Sequence, residues 1–181
     1  LRKYLNGRAS KGYEPVDPDP DAAYDEVIRI DISKIEPLVV LPHKVAHNAT
    51  EANLLAETRI DQAFIGSCAN GRIEDFEVAA EIMSGRQVAP GVRMIVTPGS
   101  QKVLQEALAK GYVETLMSAG AVVTNSTCGA CYGGHMGVLG DGEVCITAST
   151  RNFQGRMGSP EAEIYLGSPA TVAASAVRGF I

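Results

Sequence analysis

The sequence contains no long apolar run. Its hydrophobic stretches are short and broken by glycine, proline or charge, so none of them is read as spanning a bilayer. It has no excess of basic residues either: 16 Lys and Arg against 21 Asp and Glu leave a net charge of −5, which argues against broad binding to nucleic acid through the phosphate backbone. Four cysteines in 181 residues, Cys68, Cys128, Cys131 and Cys145, are too sparse for a disulfide-stapled secreted scaffold. The opening LRKYLNGRASKGYEP lacks the apolar core and small-residue cleavage pattern of a signal peptide. The expected compartment is therefore the cytoplasm, where thiols are buried, metal-bound or catalytic. Internal repeats and low-complexity segments are also missing.

What the chain does have is an ordinary globular balance, 45% hydrophobic and 20% charged, with 19 glycines gathered where loops are expected. Residues 1–58 read as an extended arm or interdomain linker. GYEPVDPDPDAAYDEV is rich in Pro and Asp, and its X-Pro pairs favour extended or turn conformations. The alternation Val27-Ile28-Arg29-Ile30-Asp31-Ile32 predicts one strand, and Pro37 and Pro42 punctuate the apolar run Leu38 to Leu41. Residues 59–181 read as an α/β domain. Strand patterns at Ile60–Ile65, Val92–Val96, Ala121–Thr124, Val144–Ala148 and Ile164–Leu166 alternate with helical ones at Ile73–Met83, Gln101–Lys110, Val113–Ala119 and Pro169–Val177. Ser100 is a good N-cap and Gly111 a good stop. Such alternation predicts βαβ units in a mostly parallel sheet with helices on both faces.

In open parallel sheets, ligands gather beyond the carboxyl ends of the strands. Cys68 follows the first core strand, Cys128 and Cys131 the third, and Arg151 and Arg156 the fourth, so three thiols and two guanidinium groups converge on one sheet edge. A Cys-x-x-Cys pair can place two thiolates on one metal centre, and the glycines of CGACYGGHMG let backbone approach it closely. A third thiol from a distant turn suits an iron–sulfide cluster with one iron open, able to polarise a substrate hydroxyl. Two arginines would clamp carboxylates in forked pairs, which points to an acidic substrate bearing a hydroxyl. Other readings stand beside this one. Cys145, inside the run Glu-Val-Cys-Ile-Thr, reads as a small buried residue, but a four-thiolate zinc site follows if it joins the others. A redox dithiol would normally begin a helix within CxxC, and here the motif runs into glycines. His43 and His47 read as solvated or packing residues, and His135 as a ligand or base candidate of a kind that is more often neither. Arg72 could touch an anion but reads as a surface arginine at a helix start, and Asp17, Asp19 and Asp21 as a solvated loop rather than a calcium site.

FIGSCANGRIEDFEVAAEI, STCGACYGGHMGVLGDGEVC and STRNFQGRMGS resemble, in order, the first cluster-ligand segment, the CxxC segment and the arginine segment of the aconitase superfamily. Within it, the resemblance is to the isopropylmalate dehydratase branch of the archaeal or homoaconitase-like type, and it extends over nearly the whole chain, including YLNGR and the LPH of the arm. The resemblance implies that Cys68, Cys128 and Cys131 ligate a [4Fe–4S] cluster, that Arg151 and Arg156 bind substrate carboxylates, and that Ser67 and Asn70 contribute local hydrogen bonds. Cys145 matches no ligand position. Ala69 and Thr150 depart from the residues many members carry there, Thr and Asn.

The resemblance also implies a larger assembly: two further α/β domains of a large subunit, and a small, swivelling-domain subunit that carries a serine base and the specificity loop. The chain then looks like a third domain preceded by its connecting arm, a fragment or a natural split subunit. Its expected substrate is a malate-type acid, with homoaconitase chemistry on a longer acid, or a zinc-bound or metal-free scaffold, as the alternatives.

Overall fold

The structure, a computed structural model, describes residues 2–181. By its internal contacts the chain divides into two compact units, Leu1–Lys34 and Ile35–Ile181. The first holds one helical turn, α1 (Arg2–Leu5), and a 3-10 turn at Ile32–Lys34, with irregular backbone between. Arg2 pairs with Asp17, and the Tyr13 hydroxyl donates to the Arg2 carbonyl. The strand predicted over Val27–Ile32 does not form: those residues are exposed and pair with no other strand. Alternation satisfies the pleat of a strand, but a strand persists only where a neighbour takes its hydrogen bonds.

The second unit is built on a seven-stranded sheet. Its strands are β1 (Leu38–Val40), β2 (Ala49–Glu51), β3 (Gln62–Gly66), β4 (Arg93–Thr97), β5 (Val122–Val123), β6 (Val144–Thr147) and β7 (Glu163–Leu166). Residues 35–58, expected in the arm, thus contribute a hairpin to the sheet. β1 pairs antiparallel with β2 and with β7, and Val39 is fully buried against the core. Asn48 closes the hairpin turn by donating its amide to the carbonyls of Leu41, Pro42 and Lys44.

The spatial order is β2-β1-β7-β6-β3-β4-β5, and β7, β6, β3, β4 and β5 run parallel. From β3 the chain steps outward to β4 and β5, then returns across β3 to β6 and β7. The outward steps carry α3 (Ile73–Met83), α4 (Gln101–Ala109) and α5 (Tyr112–Ser118), and α6 (Pro169–Arg178) follows β7. These four helices share one face: Ala63, Ile65, Met94, Val96 and Ile146 pack against Phe76, Met83, Ala107, Leu116 and Val172. Alternate residues of the same strands, Phe64, Ile95, Cys145 and Ile164, point to the other face. A 3-10 turn, Gly129–Tyr132, covers that face together with the long connections on either side of β6, through Ala130, Leu139 and Met157. The sheet is thus a middle layer and mostly parallel, as expected from the sequence, with the four α-helices on one face and the 3-10 turn and long connections on the other.

Local signals account for the helix ends. Ser100 accepts from the Val103 amide, Ser168 from the Thr171 amide ahead of Pro169, and Gly179 takes the left-handed conformation that stops α6. Among the described residues, no helix is long and apolar enough to cross a membrane.

One ion pair joins the sheet to the connection before β6. Both terminal nitrogens of Arg93 donate to the Glu143 carboxylate at 2.7 Å, which also accepts from the Gly140 amide at 2.8 Å. The Arg93 bonds first, and the Gly140 bond next, hold the Glu143 carboxyl below its ordinary value of 4.5. A depressed folded-state pKa adds stability that is complete above the ordinary value and lost as the pH falls through the folded one. Both partners are partly exposed, so Glu143→Gln is expected to cost only about 0.5–1 kcal/mol at pH 7. Urea titrations from pH 7 to 3 should show the gap between parent and variant narrowing below the ordinary carboxylate range.

Candidate functional site

The carboxyl ends of β3 and β4 meet at unusually close quarters, and this crossing presents Cys68. Gly66 has φ +145°, and a Cβ there would lie 2.3 Å from the Thr97 carbonyl oxygen. A Cβ on Gly71 would lie 2.5 Å from the same oxygen. The Gly99 amide donates to the Gly71 carbonyl at 2.7 Å, locking the two turns together. Between these glycines runs the helical turn α2 (Ser67–Asn70). Ser67 is held at φ +71°, a strained value for a residue with a side chain. The chain reverses so sharply there that Cys68, the next residue, stands exposed. The Asn70 amide donates to the Ala148 carbonyl just past β6, which ties the Cys68 turn to the neighbouring strand end. Arg72 is exposed at the start of α3, and its backbone N–H is capped by the Asp75 carboxylate at 2.8 Å.

Cys128 leads into the 3-10 turn beyond β5, and Cys131 lies within it. The Cys131 amide donates to the Cys128 carbonyl at 2.8 Å, closing the CxxC bend. Gly129 and Gly133, at φ +24° and +72°, supply the backbone freedom on either side. Cys128 is exposed and Cys131 half-buried. Thr127 supports the bend: its hydroxyl oxygen accepts from the Gly129 amide at 3.3 Å and lies 3.2 Å from His135 Nε2.

The arginine segment reaches the same place. Arg156 donates from Nε to the Cys131 carbonyl at 2.9 Å, and its Nη2 stands 3.7 Å from the Cys131 sulfur. Its guanidinium lies over the Phe153 ring, 5.4 Å from the centroid. Arg151 is exposed and donates to the Thr150 hydroxyl at 3.2 Å. Among the described residues, neither arginine is paired with a carboxylate, so both keep N–H groups for an anionic ligand. Asn152, fully buried between them, donates to the carbonyls of Leu41 at 2.7 Å and Ile164 at 3.2 Å. Three buried oxygens here have no hydrogen-bond partner among the described residues: Ser126 Oγ, Ser149 Oγ and Asn152 Oδ1.

The structure therefore puts Cys68, Cys128, Cys131, Arg151 and Arg156 beyond the carboxyl ends of parallel strands, and brings Arg156 into direct contact with Cys131. Among the described residues, no group of three or more His, Cys, Asp or Glu side chains is arranged to hold a metal ion. Cys145 stands apart from the other thiols. It is fully buried beside Gln62, and burial pushes its thiol up to about 12. His43 and His47 are exposed in the β1–β2 turn, and Asp17, Asp19 and Asp21 are exposed in the first unit. Gln62, Asn152 and Phe153 are the contributors that sequence reasoning missed. The one available signal was a glutamine inside the strand pattern Ile60–Ile65, ahead of its apolar half.

Two measurements check this geometry. Gly66→Ala must move backbone, and is expected to cost roughly 3 kcal/mol or more in chemical unfolding. Gly85→Ala, at φ +70° with nothing within 4 Å of its Cβ position, should cost only about 1 kcal/mol. Iodoacetamide at pH 8 should modify Cys68, Cys128 and Cys131 in the native chain and reach Cys145 only after unfolding, as read by peptide mass spectrometry.

Residues 4–179 match the Aconitase family (aconitate hydratase). The chain is 58% identical, over all of its 181 residues, to the 3-isopropylmalate dehydratase large subunit of Mycolicibacterium smegmatis. It is 51% identical over 179 residues to that of Moorella thermoacetica, and 49% identical over 181 residues to 3-isopropylmalate dehydratase large subunit 2 of Archaeoglobus fulgidus. It spans only 42–43% of the length of these relatives. With nearly every residue inside the family match, the chain belongs to the aconitase family.

Proposed function

We propose that this chain supplies the cluster-bearing part of a hydro-lyase that interconverts 2-isopropylmalate and 3-isopropylmalate by dehydration and rehydration, a step of leucine biosynthesis. The observation that carries the reading is the contact of Arg156 with Cys131. It joins an anion-binding group to one of three accessible thiols at the strand ends where such sheets bind ligands.

Cys68, Cys128 and Cys131 would hold a [4Fe–4S] cluster. The donor set fits: thiolates are the soft ligands such clusters use, and three of them would leave one iron of four without a protein ligand. When bound, the cluster supplies an iron with an open position that polarises a substrate hydroxyl. The protein's own part is orientation. Arg156 fixes the CxxC bend through Nε, and with Arg151 directs its remaining N–H groups to the substrate carboxylates. The orphan oxygens of Ser126 and Ser149 add polar groups beside the same turns. The proton is taken by a base outside this chain, on a small swivelling-domain subunit. The substrate site is completed by further large-subunit domains, in line with the share of the relatives that this chain spans. In this reading residues 59–181 carry the cluster site, residues 35–58 brace it, and the enzyme works in the cytoplasm.

Anaerobic reconstitution with iron and sulfide tests the reading. The parent chain is expected to take up about four iron and four acid-labile sulfide, with the absorption and EPR signature of a cubane. Cys68→Ser, Cys128→Ser and Cys131→Ser should each lose it, while Cys145→Ser keeps it. A Cys128→Ser chain that reconstitutes as well as the parent would remove that ligand, and isomerase turnover by the chain alone would refute the placement of the base. Recovery of one zinc with all four thiols protected would replace the reading with a structural scaffold. With the small subunit added, a panel of malate-type acids separates isopropylmalate from longer homoaconitate-type substrates.

A further inference from the structure

We propose that Gln62 is a positioning residue: from the amino end of β3, acting with Arg93 and Glu143, it holds the loop descending from Cys128 and Cys131 and so fixes the CxxC bend at the opposite end of the sheet. Its consequence for the cluster rests on the function proposed above; the clamp itself rests on geometry alone.

Gln62 is fully buried in an otherwise apolar layer, where an unpaired amide would be costly. It stands in register with Arg93 on one side and Cys145 on the other. Its Nε2 donates to the Gly137 carbonyl at 3.0 Å, and its Oε1 accepts from Arg93 Nε at 3.3 Å. An arginine only donates and a carbonyl only accepts, so this orientation of the amide is the one that satisfies both partners. Glutamate at this position could accept from Arg93 but could not donate to Gly137. Methionine could do neither. The same Arg93 holds Glu143, which takes the Gly140 amide. One relay thus grips the loop at Gly137 and at Gly140.

The grip is transmitted by contact. Gly137 lies so close to the sheet that a Cβ on it would stand 2.4 Å from Ile95 Cδ1 and 3.1 Å from the Ala130 methyl. Ala130 is one of the two residues between Cys128 and Cys131 and is buried in the same cluster as Phe64 and Ile95. Any lift of Gly137 from Gln62 removes the floor beneath the CxxC bend.

The experiment compares the 181-residue parent with Gln62→Glu, Gln62→Met and Glu143→Gln, first metal-free and then reconstituted. Amide hydrogen exchange over 128–142 is read against α3 and α6, and the alkylation rates of Cys128 and Cys131 are read against Cys68. For the Gln62 variants, exchange in the loop is expected to rise by about tenfold or more, with faster alkylation of Cys128 and Cys131 and with α3, α6 and Cys68 nearly unchanged. Glu143→Gln, on the surface and tolerant of failure at Gln62, should loosen the loop about three- to fivefold. Unchanged loop exchange in a folded variant, or an equal rise in α3 and α6, overturns the clamp. In the reconstituted chain, iron should be lost to a chelator several-fold faster from the variants, and equal rates alongside a loosened loop would overturn the link to the cluster. A parent that takes up no cluster refutes the proposed function and leaves the exchange and alkylation results to decide the clamp.

Discussion

The reversal of strand order at β3 is the constraint from which the site follows. Crossovers between parallel strands are right-handed, so steps outward from β3 and steps back past it lay their connections on opposite faces of the sheet. The outward steps are helical and build the larger core. The returning connections, before and after β6, are forced onto the second face, and each must run from the carboxyl end of one strand to the amino end of the next. These two connections carry Cys128 and Cys131, and Arg151 and Arg156, while Cys68 leaves from the pivot strand itself. Three remote pieces of sequence share one edge because the topology gives their strands no other place to end.

On the second face, loops and a single 3-10 turn stand where a doubly wound sheet commonly carries helices. A helix satisfies its own backbone; a loop pressed on a sheet needs other partners. Buried polar side chains tie the two layers together: Gln62 of the sheet serves Gly137 of the loop, and Asn152 of the loop serves Leu41 beside β1 and Ile164 of β7. Close approach of loop to loop meets the rest of that need, since the Leu139 amide bonds the Met157 carbonyl and Gly158 leaves no room for a Cβ against Leu139. The glycines are therefore a packing requirement of this layer as well as a feature of its turns.

Much of this was legible along the chain. The apolar spacing of Ile73, Phe76, Ala80 and Met83 defined α3 to the residue, and Ser100 marked the start of α4. The positions of Cys68, CxxC and the two arginines behind strand-like runs were enough to predict a common edge. What stayed hidden depends on partners far away in sequence. β1 and β2 are three residues each, too short for periodicity to register, and they exist because β7 offers an edge. The longer alternation at Val27–Ile32 finds no such edge and forms no strand. The roles of Gln62 and Asn152 were equally out of reach, since each bonds to backbone dozens of residues away.

Asn152 links the β1–β2 hairpin to the segment of Arg151 and Arg156 through a single amide, with one hand on Leu41 just past β1 and the other on Ile164 in β7. The two therefore melt as a unit. Fraying that begins at the outer hairpin reaches the backbone beneath Arg151 before it reaches the central strands and their helices.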